Sequence, residues 1–542
     1  MTTAGMIGPW IPEILLLGST LLIFLLDVLG VERTELFGGI AVGGTLLALL
    51  LVVADLGFAP LAFLSALPAA QIDALPAAGA APLYAFSSLG LVFQGIFLLS
   101  AFLVGLASMG RPSDEGGSAV FFGLLLLATL GMLLVAVAAD LIFLLLAIEV
   151  VSISTYLLVG YTRRDARSVE AAMKFYIIGA LSTVLSFFGA SLLFGEFGTT
   201  NLFLIRTAVG SASDPALTLV AYGFLVAGLA FKITLVPFHA WAVDVYDGAP
   251  NDVSAFLAGG TKKIGVFAFF LVFLGPVLTV NPGNVFGPGL ATAHALAGPA
   301  ATGFDLGPVI QILFAVLAVA TMTVGNVLAL LQKEMKRMLA YSSISQAGYM
   351  MIGITIGTSP ALAGATLQVF AHVFMKAGAF LVVSAVSALG IGPLIDDWKG
   401  LGTRRPLLGI SFAIMLLSLA GIPLTLGFVS KFVLFSAAVD ARGFFVWLAV
   451  AGLLNSAVSV FYYARVLKVM FMDRPAPAAE AATAGAVVGG AGPPALPLAG
   501  LGYARAATIA LVVVTLVAFG IYPQPILGPI QAAAQHFVLT GA

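Results

Sequence analysis

The stretch FLVAGLAFKITLVPFHAW, residues 224–241, decides how the rest of the chain is read. Its apolar run is long enough to enter a membrane, yet Lys232 sits inside it and Pro237 interrupts it five residues later. Proline removes a backbone donor and clashes with the preceding turn, so a helix breaks there. A charge at mid-bilayer costs about 2.5–3.5 kcal/mol on insertion scales and is functional by default. A broken apolar helix with a buried amine is therefore the element to explain.

The composition around it is that of a membrane protein. Of 542 residues, 61% are hydrophobic and only 9% charged, against about 25% charged in soluble proteins. Apolar runs of about 20 residues recur along the whole length, which is what a hydrocarbon core of about 30 Å demands. They predict an all-α polytopic fold of about fourteen transmembrane helices. The abundant glycine suits close helix packing in lipid. The chain has no cysteine, which excludes disulfides, iron–sulfur clusters and thiolate metal sites. Four scattered histidines, His239, His294, His372 and His536, make no haem or metal cage. A net charge of −1 argues against nucleic acid as a partner. The first twelve residues lack the basic region and cleavage site of a signal peptide, so the first helix is expected to stay.

Hydropathy divides the chain into five regions. Residues 1–117 hold three helices, 118–275 a first five-helix unit, and 307–472 a second. Residues 473–502, rich in Ala, Gly and Pro, read as a linker, and 503–542 as a last transmembrane helix and tail. Each five-helix unit has an interrupted helix with a lysine beside it: Phe231–Pro237 with Lys232, and Gly421–Gly427 with Lys431. Five is odd, so consecutive copies must lie inverted in the membrane, the architecture of inverted repeats with broken helices. Loops after odd-numbered helices hold Arg33, Arg111, Arg163, Arg164, Arg167, Lys333, Lys336, Arg337, Lys399, Arg404, Arg405 and Arg474. The opposite loops hold little beyond Arg206 and Arg442. By the positive-inside rule the basic loops are cytoplasmic and both termini lie outside.

Further ionisable residues lie inside apolar helices. Glu149 is nearly central in LIFLLLAIEVVSISTYLLVGY (141–161), and Lys174 lies in EAAMKFYIIGALS (170–182). Lys262 and Lys263 lie in FLAGGTKKIGVFAFF (256–270), Lys376 in HVFMKAGAF (372–380), and Lys431 in GIPLTLGFVSKFVLF (421–435). Such a set supports proton transfer. Burial disfavours a charged amine and a nearby carboxylate favours it, so moving one charge can switch an amine between holding and releasing a proton. No single lysine spans a bilayer, but a row linked by water, His, Ser and Thr can. Bland alternatives stand beside these readings. Glu149 and a lysine can be a static ion pair, Lys174 can snorkel to the interface, and His239 can satisfy backbone groups freed at Pro237. Lys263 points about 100° from Lys262 on an ideal helix, so one of the pair is expected to be peripheral, and Lys262 is favoured as the inward one. His372 and Lys376, spaced i and i+4, share a face.

Two long motifs resemble a known family. FKITLVPFHAWAVDVYDGAP (231–250) with FLAGGTKKIGVF, and LLQKEMKRMLAYSSISQAGYMMIG (330–353), are similar to signatures of the antiporter-like membrane subunits of NADH–quinone oxidoreductase, respiratory complex I. The resemblance covers about residues 118–472. It points to the subunit N branch through Lys431, through FYYARVLKVMFM (461–472), and through the short stretch after the last helix. The resemblance implies a multi-pass subunit of a bacterial inner membrane that moves protons while partner subunits pass electrons from NADH to quinone. Glu149 and Lys232 would be the coupling pair, with Lys174 near the uptake side. Lys262 would be the central relay, handing charge through His372 and Lys376 to Lys431. Lys263 departs from the family's single-lysine pattern there. The implied partners are membrane lipids, the neighbouring subunit M and the small membrane subunits K, J and A. Flavin, iron–sulfur clusters, NADH and quinone would be handled by partners, with no cofactor in this chain. The other readings are an Mrp-type sodium/proton antiporter subunit, or the equivalent subunit of a ferredoxin- or hydrogenase-linked relative.

Overall fold

A computed structural model describes residues 8–65, 67, 71–73, 81–109, 117–274, 306–474 and 502–540. Regular structure among them is helical, and β pairing is limited to three isolated bridges. The linker expected over 473–502 falls almost wholly outside the described residues. Among the described residues, seventeen helices of nine or more α-helical residues organise the chain. The first three are α1 (Ile11–Val28), α2 (Thr34–Asp55) and α3 (Ser88–Ser108). There follow α4 (Ser118–Ala136), α5 (Leu141–Val159), α6 (Ala166–Phe197), the broken pair α7 (Pro215–Ile233) and α8 (Ala240–Gly248), and α9 (Asn251–Leu274).

A second series repeats that plan. It comprises α10 (Leu306–Leu330), α11 (Met335–Ile356), α12 (Ser359–Ala388), the broken pair α13 (Pro406–Ala420) and α14 (Leu426–Asp440), and α15 (Phe445–Phe471). Then come α16 (Tyr503–Ile521) and α17 (Gln524–Thr540). In each series the fourth of five segments is the broken one.

All fourteen segments expected from hydropathy are helical. Twelve helices are long and apolar enough to cross a membrane alone. The other two segments are the exceptions that matter. One is α11, of adequate length but too polar because Ser342, Ser343, Ser345 and Gln346 line it, all fully buried. The other is split into α13 and α14, each only 15 residues long. A helix that expects water or charge on one side cannot be apolar all round.

The helices are packed by glycines that let backbones approach. A Cβ on Gly348 of α11 would lie 2.7 Å from the Met322 backbone nitrogen of α10, and one on Gly325 2.6 Å from the Ser345 nitrogen. The tail expected after the last transmembrane helix is itself helical, as α17. Its Leu527, Ile530, Ala533, Ala534 and Phe537 are buried at helical spacing against α3 and α12. Pro529 and the polar outer face hide this helix from a hydropathy reading.

Replacing Gly348 by Val is expected to force α10 and α11 apart and to cost about 1–3 kcal/mol by overpacking. Thermal unfolding of the detergent-solubilised chain reads this; an unchanged midpoint would show that the interface is slack.

Candidate functional site

The break after α7 frees backbone groups that must be satisfied inside the protein. Thr234 caps α7 in the left-handed conformation, φ 66°. The Leu235 amide returns to the Ala230 carbonyl at 2.9 Å, and the Val236 amide donates to Thr321 Oγ1 of α10 at 3.0 Å. The second half of the chain thus holds the break of the first. His239 begins α8 half-buried, and its Nδ1 has no hydrogen-bond partner.

Lys232, in the last turn of α7, reaches the fifth helix. Its Nζ donates to Ser152 Oγ at 2.7 Å and stands 3.7 Å from Glu149 Oε1. Glu149 accepts from Thr183 Oγ1 of α6 at 2.6 Å and is itself 23% exposed, against 10% for Lys232. The pair is close enough to attract and too long for a direct hydrogen bond. Lys174 is not part of this buried group. It lies half-exposed, paired with Glu170 at 2.8 Å and with Asp244 of α8 at 3.0 Å. Arg337 of α11 meets the same Asp244 at 3.2 Å. Lys174 therefore stands at a charged rim at the end of the bundle that carries the basic loops.

A cavity of about 30 Å³ joins Lys232 to Lys262. Ser152, Thr155, Thr261 and Tyr246 give its wall polar atoms, so it has room and partners for water. Beyond it, α9 unwinds into a π turn over Leu257–Thr261, and α12 does the same over Val373–Ala377. The two wide turns pack on each other and on α3. Single π turns of this kind gather at functional sites.

These turns carry three amines and an imidazole. Lys262 Nζ donates to the Ser343 carbonyl at 2.8 Å. Lys263 Nζ donates to the Ala258 carbonyl and lies 2.7 Å from His372 Nδ1. Lys376 Nζ donates to the Leu339 carbonyl at 2.8 Å and to Ser342 Oγ at 2.7 Å. His372 Nε2 is buried without a partner. The peripheral position expected for Lys263 is not what the structure has. Both lysines are buried, because α9 is enclosed on every side and a 100° step around an ideal helix reaches another neighbour rather than lipid. Lys263, not Lys262, touches His372.

Lys431 closes the row. Its Nζ donates to the carbonyls of Leu419 and Ala420 at 2.9 and 3.2 Å and to Ser456 Oγ of α15 at 2.9 Å. It also stands 4.7 Å from the centre of the Tyr349 ring. The carbonyls belong to the C-terminal end of the half-helix α13, where unpaired oxygens and the helix dipole favour a cation. Gly421 makes this possible: its φ is +84°, and a Cβ there would lie 3.0 Å from Lys431 Cδ.

The residues that sequence reading missed are chiefly uncharged: Ser152, Thr183, Ser342, Ser343 and Ser456. Serines and threonines are frequent in any membrane helix, so nothing marked these. Asp244 offered a better signal, a carboxylate seven residues past the break. Among the described residues, no group of three His, Asp or Glu side chains is placed to hold a metal ion.

Broken half-helices, paired π turns and a row of buried amines together define a polytopic membrane protein of the ion-translocating, inverted-repeat class. The chain belongs to the NADH:quinone oxidoreductase/Mrp antiporter transmembrane family, which matches residues 138–283 and 293–457. It is 39% identical to the F(420)H(2) dehydrogenase subunit N of Methanosarcina mazei, over 86% of this chain and 89% of that one. It is 40% identical to the NADH-quinone oxidoreductase subunit N of Trichlorobacter lovleyi, over 70% and 73% of the two chains. A chain of respiratory complex I from Thermus thermophilus superposes with a TM-score of 0.71 at 28% identity, covering 96% of this chain and 99% of that one.

Gly421→Ala is expected to cost about 1–2 kcal/mol for the left-handed backbone and to push Lys431 off its carbonyls. Gly223→Ala, where a Cβ meets open space, serves as the control. Equal thermal stability of the two variants would show that the cap is not under constraint.

Proposed function

We propose that this chain moves protons across a bacterial inner membrane as subunit N of an NADH–quinone oxidoreductase. The observation that carries the reading is the row of amines at the core: Lys232, Lys262, Lys263, Lys376 and Lys431, with His372 among them. In this reading 118–275 and 307–472 act as two inverted half-channels. The basic loops face the cytoplasm, and both termini face outside. NADH, flavin, iron–sulfur clusters and quinone are handled by partner chains, and subunit M with the small subunits K, J and A are the membrane neighbours.

The chemistry follows from the Glu149–Lys232 geometry. Two unit charges about 4 Å apart interact by about 4 kcal/mol at an effective dielectric constant of about 20. That is about three decades in a proton equilibrium. Loss of the Glu149 charge, by protonation or by displacement from Lys232, removes this attraction and leaves an uncompensated ammonium in an apolar setting. Its proton then passes through the adjoining cavity toward Lys262 and Lys263, whose neighbours Ser343 and His372 offer the next acceptors. Restoring Glu149 reverses the bias. Lys174 and Asp244 at the rim supply protons from water, and Lys431 delivers them in the second half-channel. A change of charge elsewhere in the assembly therefore becomes proton movement here, with no redox group in this chain.

Two other readings share the amine row. The similarity to an F(420)H(2) dehydrogenase subunit fits a relative fed by a different electron donor, as a ferredoxin- or hydrogenase-linked complex would be. The shared fold with a chain of the Dietzia Mrp complex, TM-score 0.77 at 20% identity over 99% and 98% of the two chains, leaves room for a sodium/proton antiporter subunit. A lysine at position 431 favours subunit N. The chains that co-purify decide the matter: subunits that bind NADH, flavin and clusters support the reading, and cation exchange without them supports the antiporter.

Lys232→Ala and Lys431→Ala are each expected to depress proton uptake into vesicles holding the purified complex by at least about tenfold, with assembly intact. Normal uptake in both variants would end the relay assignment. Glu149→Gln is expected to weaken coupling of uptake to quinone reduction far more than Arg163→Ala, an exposed loop residue. Equal effects would reduce Glu149 to a topological role.

A further inference from the structure

Two polar chains approach Lys431, and they differ in chemistry. One is made of amides. Gln346 Nε2 donates to the Leu419 carbonyl at 3.3 Å, Gln368 Nε2 donates to Gln346 Oε1 at 2.7 Å, and Ser430 Oγ donates to Gln368 Oε1 at 2.5 Å. The other is made of hydroxyls. Lys376 Nζ donates to Ser342 Oγ at 2.7 Å, and Ser342 Oγ is hydrogen-bonded to Tyr463 OH. The Tyr463 ring lies 4.3 Å from that of Tyr462, whose hydroxyl is grouped with Ser342, Ser345 and Ser459. Tyr462 OH donates to Asn326 Oδ1 at 3.0 Å. Tyr349 OH, fully buried and without a hydrogen-bond partner, faces Asn326 and Ser456. Ser456 Oγ is bonded to Lys431 Nζ at 2.9 Å.

Resting on the proton-relay reading above, we infer that the proton travels the hydroxyl chain, Ser342–Tyr463–Tyr462–Tyr349–Ser456, and that the amide chain is an insulating spacer. A hydroxyl accepts on its oxygen while giving up its own hydrogen, so it can pass a proton on. An amide nitrogen has no acceptor lone pair and an amide oxygen has no proton to give. Gln346 and Gln368 thus hold α11, α12, α13 and α14 in register without conducting. Along the hydroxyls the balance is simple. One N–H bond breaks at Lys376 and one forms at Lys431; each hydroxyl between them exchanges one O–H bond for another and then turns back.

The chain is open at Tyr349, whose hydroxyl has no hydrogen-bond partner on either side, and the opening has a function. Tyr462 gives its hydrogen to Asn326, a group that cannot relay it, while the Tyr349 hydroxyl stands unpartnered beside the same amide. Asn326 is held in turn by two bonds from its own nitrogen to the carbonyl and side-chain oxygens of Asn455, at 3.0 and 3.1 Å. It is therefore a fixed resting place for the Tyr462 hydrogen. Rotation of that hydroxyl from Asn326 toward Tyr349, and of the Tyr349 hydroxyl toward Ser456, directly or through water, completes the path. An open link between Lys376 and Lys431 at rest keeps a protonmotive force from leaking back. Tyr462 and Asn326 together make a gate in the second half-channel.

The test uses the purified complex in sealed vesicles, with proton uptake read from a pH-sensitive dye. Tyr463→Phe and Tyr349→Phe keep the ring and remove only the hydroxyl. Each is expected to cut uptake at least about tenfold and to alter its solvent deuterium isotope effect, while Gln368→Met stays near the parent. Ser342→Ala reads the same first link should Tyr463→Phe fail to assemble. Parental uptake in the Tyr→Phe variants, with Lys431→Ala still impaired, overturns the hydroxyl route and leaves the amine relay standing. A loss in Gln368→Met equal to that in Tyr463→Phe overturns the insulating role of the amides. Parental uptake in Lys431→Ala would instead sink the relay on which this inference rests.

Discussion

The rest of this structure depends on one constraint: an ammonium group in the interior of a membrane must have oxygen around it. In a regular helix each carbonyl already serves the amide four residues on and has only its second lone pair to give, as Ser343 and Leu339 of α11 give theirs to Lys262 and Lys376. Beyond those two carbonyls, the protein meets the constraint by making its helices irregular where the amines are. Lys431 uses the carbonyls at the end of a half-helix. Lys263 uses Ala258, inside a π turn, and Lys376 lies in another. Lys232 occupies the last turn before the other break. Broken helices and π turns are thus the means by which charge is kept at depth, and the glycines that cap or approach them serve the same end.

The same irregularity makes the site responsive. No buried amine in the row is locked into a close carboxylate pair. Lys232 is 3.7 Å from Glu149, while the other four bond to carbonyls, hydroxyls and an imidazole. A bidentate buried ion pair would hold a proton too firmly to pass it on, and a hydrophobic substitute would hold none. Neutral acceptors with a single carboxylate, Glu149, at one end lie between those extremes. In the proposed relay they let a modest change of field decide which amine is charged.

The two halves are also joined through these features. Thr321 of the second half satisfies the backbone break of the first, and the π turns of α9 and α12 press on each other and on α3. The backbone break of the first half is therefore held by a residue of the second. The tail helix α17, lying across α3 and α12, ties the first segment to the second half on the face opposite the basic loops.

The sequence by itself determined the membrane class, the positions of fourteen helical segments, the two interrupted helices and the identity of the charged residues. These are readable because hydrocarbon penalises charge and rewards apolar runs so heavily that every exception shows. The sequence could not say which way Lys263 faces, since that depends on α9 being surrounded. Nor could it single out the serines and tyrosines that bond to the amines, because hydroxyls cost little in a helix and occur there for many reasons. Helix α17 escaped because an amphipathic helix with a proline resembles a tail. Only tertiary packing decided these, by bringing α11, α12 and α15 together so that small polar groups from separate helices meet one buried charge.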